Sequence, residues 1–148
     1  MLVRIMPEQI AKMWEYIQFA LKEAAPREYL GKDEIYGDIL QALLVGSMQS
    51  WFVVREIKDD YELLACVITK LNTDNATRVK SLTIFAVYGY GDLDSDIWTK
   101  SYETLTKFAI MNKCQFMDAY TDEVGIVEIG KKFGWLNRHY IYVRLPHD

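Results

Sequence analysis

The sequence predicts an α+β fold with a mixed central sheet. Three observations support this prediction. Apolar residues recur at helical spacing before residue 46, the apolar period changes to two after it, and helical stretches alternate with strand-like runs toward the C-terminus. The predicted element order is ααβββαβαβ. The length of 148 residues fits a single domain over residues 1–148 with one core.

Both N-terminal helices have recognisable start and stop signals. The first begins at Pro7, because a proline in the first helical turn lacks only an N–H that would be unpaired there, and it ends near Ala24, with Pro26 beyond it. Asp33 is a candidate N-cap for the second helix, and Gly46 can take the left-handed conformation that closes it. Their apolar stripes predict that each helix packs one face against a core.

Three long strands follow, joined by two short polar turns. The strands are predicted over 51–57, 61–71 and 78–88, with Lys-Asp-Asp in the first turn and Asn-Thr-Asp-Asn-Ala-Thr in the second. Strands joined by short turns pair with each other in antiparallel fashion. The central part of the sequence therefore predicts an antiparallel meander.

The C-terminal part alternates helices with strands. Asp94 or Ser95 can cap the first of these helices. The strand after it is expected to lie parallel to the third long strand, because a helix separates the two. In the order helix, strand, helix, strand, these elements are predicted over 95–113, 114–120, 123–134 and 139–145.

The composition limits the class of partner and the compartment. A net charge of −4 argues against nucleic acid as the main partner, because phosphate backbones bind basic surfaces. Cys66 and Cys114 match no metal-ligand spacing and are expected to be buried thiols in a reducing compartment. The start, MLVRIMPEQI, lacks the apolar stretch of a signal peptide, and no apolar run approaches a membrane span. We therefore expect a cytoplasmic protein with no metal site and no nucleic-acid or membrane partner.

The run AVYGYGDLDSD lies between the third long strand and the next helix. Its two glycines, Gly89 and Gly91, allow a phosphate to approach the backbone closely. The N-terminus of the next helix favours such an anion through its free N–H groups and its dipole. Asp92, Asp94 and Asp96 follow directly. Their carboxylates can satisfy those N–H groups themselves, and they add negative charge where a pyrophosphate would lie. The glycines therefore favour an anion site that the aspartates oppose.

The same aspartates raise a calcium hypothesis. Asp92, Asp94, Asp96 and Glu103 stand at positions 1, 3, 5 and 12 of a calcium-binding loop. Ile97, however, occupies the sixth position, where that loop needs glycine for a sharp turn. The alternative is that the carboxylates cap the following helix.

The order of elements, the aromatic and apolar meander, and the run KKFGW before the last strand resemble the GNAT superfamily of acyl-CoA-dependent N-acetyltransferases. In that family a helix commonly ends in a Gly-aromatic pair, and Gly134 with Trp135 fits this position. The resemblance spans nearly the whole chain. A looser resemblance, through a tryptophan in the first helix, the pair Gly46 and Trp51, and the late Gly-Trp, connects the chain with small phage-encoded acetyltransferase-like proteins. The resemblance to the phage-encoded proteins implies that the protein is located in a host cytoplasm or in a virion.

The resemblance implies a cofactor and a reaction. In the family the third long strand and its parallel neighbour splay apart, acetyl-CoA enters the gap, and the pyrophosphate sits at the N-terminus of the next helix. Val87, Gly89 and Gly91 would then bind the cofactor. The family motif is Gln/Arg-x-x-Gly-x-Gly/Ala, and Ala86 stands where Gln or Arg belongs. The implied activity is transfer of an acetyl group to a primary amine on a small molecule or a protein.

The catalytic residues that the resemblance implies are incomplete. Many members carry a tyrosine as general acid at the position that Gly130 occupies here. Tyr120, Tyr140 and Tyr142 are the candidate substitutes. Asp118, on the strand that would flank the acceptor, is the candidate base, and the alternative for it is a strand carboxylate that faces solvent.

These departures from the family pattern support a second hypothesis. A chain that has lost the cofactor motif and the general acid would keep the scaffold as a catalytically inactive structural or interaction protein. Its partner would be another protein, or further copies of the same chain in a homo-oligomer.

Overall fold

The computed structural model describes residues 1–91 and 93–146 of the chain. All four helices and the three strands of the meander form close to their predicted bounds. The elements are β1 (Leu2–Ile5), α1 (Pro7–Ala24), a 3-10 turn (Arg27–Tyr29), α2 (Glu34–Val45), β2 (Met48–Ile57), β3 (Asp60–Thr73), β4 (Lys80–Gly89), α3 (Ser95–Met111), β5 (Phe116–Ala119) and α4 (Val124–Lys132).

One mixed sheet organises the fold. Its five strands lie in the spatial order β1-β2-β3-β4-β5. The pairs from β1 to β4 are antiparallel, and β4 pairs with β5 in parallel. The predicted meander and the predicted parallel crossover through α3 are both confirmed.

Helices cover both faces of the sheet. α1 and α2 pack on one face, where Ile17, Leu21 and Leu43 join the apolar side chains of the sheet. α3 packs on the other face, where Leu105 meets Trp51. Burial of a full aliphatic side chain contributes roughly 1.5–3 kcal/mol, so these two layers anchor the sheet between them.

The two cysteines differ in burial. Cys66 is fully buried in the core beneath α1, as expected, and this burial raises the pKa of its thiol to about 12. Cys114 is only half-buried, because it lies in the short connection between α3 and β5.

Among the described helices, none combines the length and the apolar character needed to cross a membrane.

The N-terminal strand β1 was not predicted. It pairs with β2 from Leu2 opposite Val53 to Ile5 opposite Ser50. The terminal ammonium of Met1 also donates a hydrogen bond to the Val54 carbonyl oxygen at 2.8 Å. Leu-Val-Arg-Ile does not alternate between apolar and polar residues, so the pattern before α1 carried no strand signal.

The last predicted strand, over 139–145, is wrong. This segment alternates as a strand would, but among the described residues it pairs with no sheet edge. The guanidinium of Arg144 instead donates hydrogen bonds to the carbonyl oxygens of Arg27 and Leu30, at 3.0 and 3.3 Å. Alternation indicates which side chains share a face, whereas a strand also needs a neighbouring edge within reach.

A β-bulge and the end of a strand coincide in the middle of the sheet. Ile84 and Ala86 pair with consecutive residues of β3, which leaves Phe85 as an extra residue in β4. The pairing of β4 with β5 stops at the same point, at Ile84 opposite Ala119. β4 continues to Gly89, whereas β5 ends. β4 therefore extends five residues beyond its last paired residue, at the place where the two strands are predicted to part.

Candidate functional site

β4 has an unpaired edge beyond the end of β5, which we call the wedge: residues 85–89 of β4 on the side away from β3. No strand pairs with β4 on this side beyond Ile84 among the described residues. Val87 is half-buried and packs against the core beneath α3, so its side chain is anchored and its backbone lies at the free edge. Backbone N–H and C=O groups at a free edge can pair with an extended ligand. The wedge therefore offers strand-type hydrogen bonds to a linear molecule.

Gly89 and Gly91 stand where the wedge meets the loop before α3. Neither has the positive φ that would demand glycine. A Cβ on Gly89 would lie 3.7 Å from the carbonyl oxygen of Gly91, and a Cβ on Gly91 would lie 3.8 Å from Leu64 Cδ2. Both distances are ordinary van der Waals contacts. The protein's own packing thus tolerates side chains at both positions, and the two glycines leave open space that a bound group can fill.

Two of the three loop aspartates have partners. Asp94 caps α3, since its Oδ1 accepts the Ile97 N–H at 2.9 Å, and the predicted cap is confirmed. Asp96 Oδ2 lies 3.2 Å from the ammonium of Lys100 one turn later. Asp92 lies outside the described residues. The cap uses one N–H that an anion would otherwise bind, and the ion pair partly offsets the charge of Asp96.

The local backbone conformation differs from that of a calcium-binding loop. Asp96 and Ile97, at the fifth and sixth positions of the proposed loop, lie in the first turn of α3, where a calcium loop would turn sharply. In the described part of the chain no three His, Cys, Asp or Glu side chains group so as to hold a metal ion. Asp92, the first proposed ligand, lies outside that part.

Ala86 lies in the core rather than at the loop. Its side chain is only 3% exposed and packs in the cluster beneath α1. The bulge at Phe85 turns two consecutive side chains, Phe85 and Ala86, toward this face. The position at which the family motif has Gln or Arg therefore contributes no polar group to the wedge.

A cavity of about 500 Å³ opens beside the wedge, on the sheet face that carries α1 and α2. It lies at the end of β3, β4 and β5 that the two helices leave uncovered. The side chains that matter below are Tyr29, Asn72, Thr83, Phe85, Asp118 and Tyr120. Because Phe85 and Tyr120 flank the point where β4 and β5 part, the cavity and the wedge meet there.

Asp118 is held in a defined orientation at the cavity wall. Its Oδ1 accepts a hydrogen bond from Thr83 Oγ1 at 2.6 Å, and Thr83 Oγ1 accepts one from Asn72 Nδ2, also at 2.6 Å. Thr83 is only 3% exposed, so this support is buried. Asp118 itself is half-buried and lines the cavity, which differs from the solvent-facing alternative. A fixed carboxylate in a cavity can bind an ammonium group and accept a proton from it.

Tyrosines form the other side of the cavity. The ring of Tyr120 lies 5.2 Å from that of Tyr140, which stacks on Tyr142 at 6.2 Å between centroids. Burial raises the pKa of Tyr120 above its usual value, and the negative charge of Asp118 adds to the effect. Burial also raises the pKa of Tyr29, with smaller effects from Tyr140 and Glu28. Tyr29 and Tyr120 therefore line the cavity, whereas Tyr140 packs on Tyr120 and Tyr142 stacks on Tyr140 behind it.

The expected general-acid position at Gly130 is covered. A Cβ there would lie 3.5 Å from Cβ of Trp135, and the indole N–H of Trp135 donates a hydrogen bond to the Tyr102 hydroxyl at 3.3 Å. Phe133 stacks on Tyr102 at 4.3 Å. The end of α4 is therefore packed against α3 by aromatic side chains, and no hydroxyl at residue 130 reaches the cavity.

Three residues of the site were not predicted. Tyr29 lies in the connection between α1 and α2, where the sequence shows no period. Asn72 and Thr83 occupy ordinary strand positions, and their relation to Asp118 appears only when the register of β3, β4 and β5 is known. A polar residue in an apolar strand was the one available signal for Thr83.

Comparison with known proteins relates the fold to acetyltransferases. No protein-family model matches the chain, and no curated protein matches it by sequence. Among solved structures, a predicted acetyltransferase from Clostridium acetobutylicum with acetyl-CoA has a TM-score of 0.70 at 12% identity, covering 97% of this chain and 95% of that one. An aminoglycoside acetyltransferase from an uncultured soil metagenomic sample has a TM-score of 0.71 at 11% identity, covering 100% and 98%.

A third solved structure is an aminoglycoside N-acetyltransferase in complex with CoA. Its TM-score is 0.65 at 9% identity, and the alignment covers 99% of this chain and 100% of that one. At such low identities these likenesses concern the fold. The chain has the α+β fold of GNAT acetyltransferases, with its mixed sheet and its parallel β4–β5 pair.

Proposed function

We propose that this chain transfers an acetyl group from acetyl-CoA to a primary amine on a small molecule or a protein. The observation that carries the proposal is the junction of the wedge with the cavity, since a donor along β4 and an amine at Asp118 would meet there. The acetyltransferase fold of the neighbours supports it, and several of those neighbours contain CoA or acetyl-CoA.

The residues of the wedge fit an acyl-CoA. The free edge of β4 would pair with the amide-bearing arm, with Val87 at its centre. The open space at Gly89 and Gly91 would admit the pyrophosphate to the N-terminus of α3, where the helix dipole favours negative charge. When bound, acetyl-CoA supplies an activated thioester carbonyl.

Side chains of this protein would accept and donate the protons of the reaction. Asp118 would bind the acceptor as an ammonium ion, which would lose one proton to solvent to become the reactive amine, and the carboxylate would take up the second proton as the new C–N bond forms. Tyr120 would give its phenolic proton to the sulfur as the C–S bond breaks. Thr83 and Asn72 would fix the carboxylate of Asp118 without contacting the substrate.

A thiol-release assay tests the proposal. The protein would be mixed with acetyl-CoA and a panel of primary amines comprising a polyamine, an aminoglycoside and a peptide with a free N-terminus. We expect CoA release above the rate without protein for at least one acceptor class. An absence of turnover with every acceptor, together with no detectable CoA binding, would contradict the proposal.

Replacement of Tyr120 tests the general acid. Tyr120→Phe should lower kcat by about 10²-fold, the lower end of general acid–base contributions. Because burial raises the pKa of Tyr120 above its usual value, its phenol stays protonated at neutral pH, and kcat of the unmodified protein should not fall through loss of this proton between about pH 7 and 9. Loss of activity in Tyr140→Phe alone would assign the role to Tyr140 instead.

Replacement of Asp94 tests the opposing charge. Asparagine caps helices as well as aspartate does, so Asp94→Asn should leave α3 intact while it removes one negative charge near the pyrophosphate. We expect CoA to bind about two- to five-fold more tightly, which corresponds to about 0.3–1 kcal/mol. Isothermal titration would measure this, with Asp38→Asn on the exposed face of α2 as the matched control. An unchanged dissociation constant would show that this charge does not limit binding.

A second candidate function is supported by two observations. Ala86 is buried in the core, and Gly130 lies under Trp135, so neither family position offers its usual polar group. A catalytically inactive interaction protein on the same scaffold, of the kind the phage-encoded proteins suggest, would explain both. That candidate requires that the chain neither bind CoA tightly nor turn over acetyl-CoA.

A further inference from the structure

The cavity continues past Asp118, away from the wedge, to the turn between β3 and β4. Its volume of about 500 Å³ lies in the range of small-molecule sites, about 300–1,000 Å³. The proposed reaction uses only the end of the cavity at Asp118 and Tyr120. The rest of the lining includes Lys70, Asp74 and Ser81, to which that reaction assigns no role. The cavity therefore has room for more of an acceptor than its reacting amine.

Asp74 presents a fixed carboxylate at the far end of the cavity. Its Oδ1 accepts hydrogen bonds from the N–H groups of Thr77 and Ala76, at 2.8 and 2.9 Å, and from Thr77 Oγ1 at 3.1 Å. These hydrogen bonds hold the pKa of Asp74 below its usual value. All three are made by Oδ1, so the second oxygen, Oδ2, can bind a cationic group in the cavity.

The register of the strands gives the distance between Asp74 and Asp118. The Asp74 N–H donates to the Val79 carbonyl oxygen at 2.9 Å, so Asp74 lies opposite Val79. Asp118 lies opposite Thr83. Four residue steps of about 3.3 Å from Val79 to Thr83 and two strand spacings of about 4.8 Å across the sheet place the two Cα atoms about 16 Å apart. Ammonium groups that approach both carboxylates from inside the cavity, each at about 2.8 Å, would lie about 10–11 Å apart.

Ser81 lies midway between the two carboxylates, on the strand between them. It is only 6% exposed and lines the cavity, and its hydroxyl has no hydrogen-bond partner among the described residues. Asn72 lies directly opposite on β3, and its Nδ2 is the atom that holds Thr83, which leaves Oδ1 to accept a further hydrogen bond. A buried hydroxyl without a partner lacks the hydrogen bonds that it makes in water, and a polar group of a ligand at this point would restore them.

Lys70 determines which charge suits the centre of a ligand. It lies opposite Thr83 on β3 and is the one cationic side chain among the described residues that line the cavity. Its ammonium repels a further positive charge near the middle of the cavity, whereas an oxygen atom or an amide meets no such repulsion. The two ends of the cavity differ from the centre, because each end has its own carboxylate.

We propose that the acceptor is an elongated small molecule with two terminal ammonium groups about 10–11 Å apart and an uncharged polar group between them. One ammonium binds at Asp118, where it reacts as described above. The second binds at Asp74 and stays charged, and Ser81 hydrogen-bonds the central group. This inference rests on the proposed function for the reaction at Asp118, but the binding preference itself is measurable without turnover.

Calorimetric titration of the full chain, with and without CoA, tests the preference. The main probe is 1,8-diamino-3,6-dioxaoctane, an ether diamine whose nitrogen atoms are about 11 Å apart at about 1.2 Å per bond. At about 0.15 M salt, where charges at long range are screened, it should bind about two- to five-fold more tightly than four comparison amines. These are its amino-alcohol analogue with one terminal amine replaced by a hydroxyl, the shorter diamine putrescine, the alkyl diamine of equal length, and spermidine, whose centre is charged.

Replacement of Asp74 tests the second ammonium site. Asp74→Asn keeps an oxygen that accepts the hydrogen bonds of the turn, so the turn should persist. The variant should bind the ether diamine about three- to five-fold more weakly and the amino alcohol unchanged. Asp60→Asn is the matched control, because Asp60 is also an exposed aspartate whose Oδ1 accepts a backbone N–H, from Tyr61 at 2.8 Å. It should change neither affinity.

Replacement of Ser81 tests the central group. Ser81→Ala should weaken binding of the ether diamine about two- to ten-fold and leave the alkyl diamine of equal length unchanged, because only the ether oxygens can pair with the hydroxyl. In the thiol-release assay, Asp74→Asn should raise KM for the ether diamine and leave kcat unchanged, as loss of uniform binding does.

The outcomes separate this proposal from the proposed reaction. Equal affinities for the ether diamine and the amino alcohol, with and without CoA, would overturn the proposal even if another amine were acetylated. Equal effects of Asp74→Asn and Asp60→Asn would overturn it as well. Selective binding of the ether diamine that depends on Asp74, with no release of CoA, would contradict the reaction and support the two-ended site.

Discussion

Asp118→Asn should lower kcat for acetyl transfer by about 10²- to 10⁴-fold, the range that a positioned general base contributes. The carboxylate is the acidic group that Thr83 and Asn72 hold in place at the junction of wedge and cavity. Asparagine keeps the shape and can still accept the hydrogen bond from Thr83, but it can neither attract an ammonium group nor take up its proton. Steady-state release of CoA measures the effect.

A control variant and a measurement of CoA binding separate a catalytic role of Asp118 from a general effect on the protein. Asp38→Asn removes a carboxylate from the exposed face of α2 and should leave kcat unchanged. Binding of CoA, measured by titration, should be unaffected in Asp118→Asn, because the proposed role of the residue is to bind the acceptor and not the cofactor. Full activity in Asp118→Asn would remove this residue from the mechanism, while the fold assignment would remain.

Gly89→Val should weaken the binding of CoA by roughly 30- to 150-fold, because two or three backbone hydrogen bonds of about 1 kcal/mol each would be blocked. The protein itself should tolerate the change, since a Cβ at this position meets only one atom at an ordinary contact distance of 3.7 Å. Valine also suits the end of a strand. We therefore expect the free energy of unfolding to change by less than about 1 kcal/mol.

The matched control for Gly89→Val is a substitution at another glycine where an added Cβ would also have space. Gly37 lies in α2, and no atom lies within 4 Å of a Cβ placed there. Gly37→Ala should leave CoA binding unchanged and raise the stability slightly, because alanine lowers the entropy of the unfolded chain. Equal affinities of Gly89→Val and the unmodified protein would show that the loop does not receive the ligand.

The sequence predicted the fold well because the elements carry local signals. Pro7 and Gly46 mark a helix start and a helix end, and Gly46 indeed has a φ of +89°. The apolar period distinguishes helices from strands along most of the chain. The cap at Asp94 was also predicted, because N-caps depend on the residues immediately around them.

The errors occurred where structure depends on distant partners. β1 forms because the edge of β2 lies beside it, and the segment 139–145 forms no strand because Arg144 holds it against the connection between α1 and α2. Asp118 was a candidate from its strand, but its support by Thr83 depends on how β4 and β5 align. Local patterns contain no information about register.

The most direct measurement of the central claim is a crystal structure of the protein with CoA. We expect the pantetheine arm beside residues 85–89 of β4, with the sulfur end near Phe85 and Tyr120 and the pyrophosphate before α3. CoA bound at another surface, or β4 and β5 paired over their full length with the wedge closed, would contradict the account.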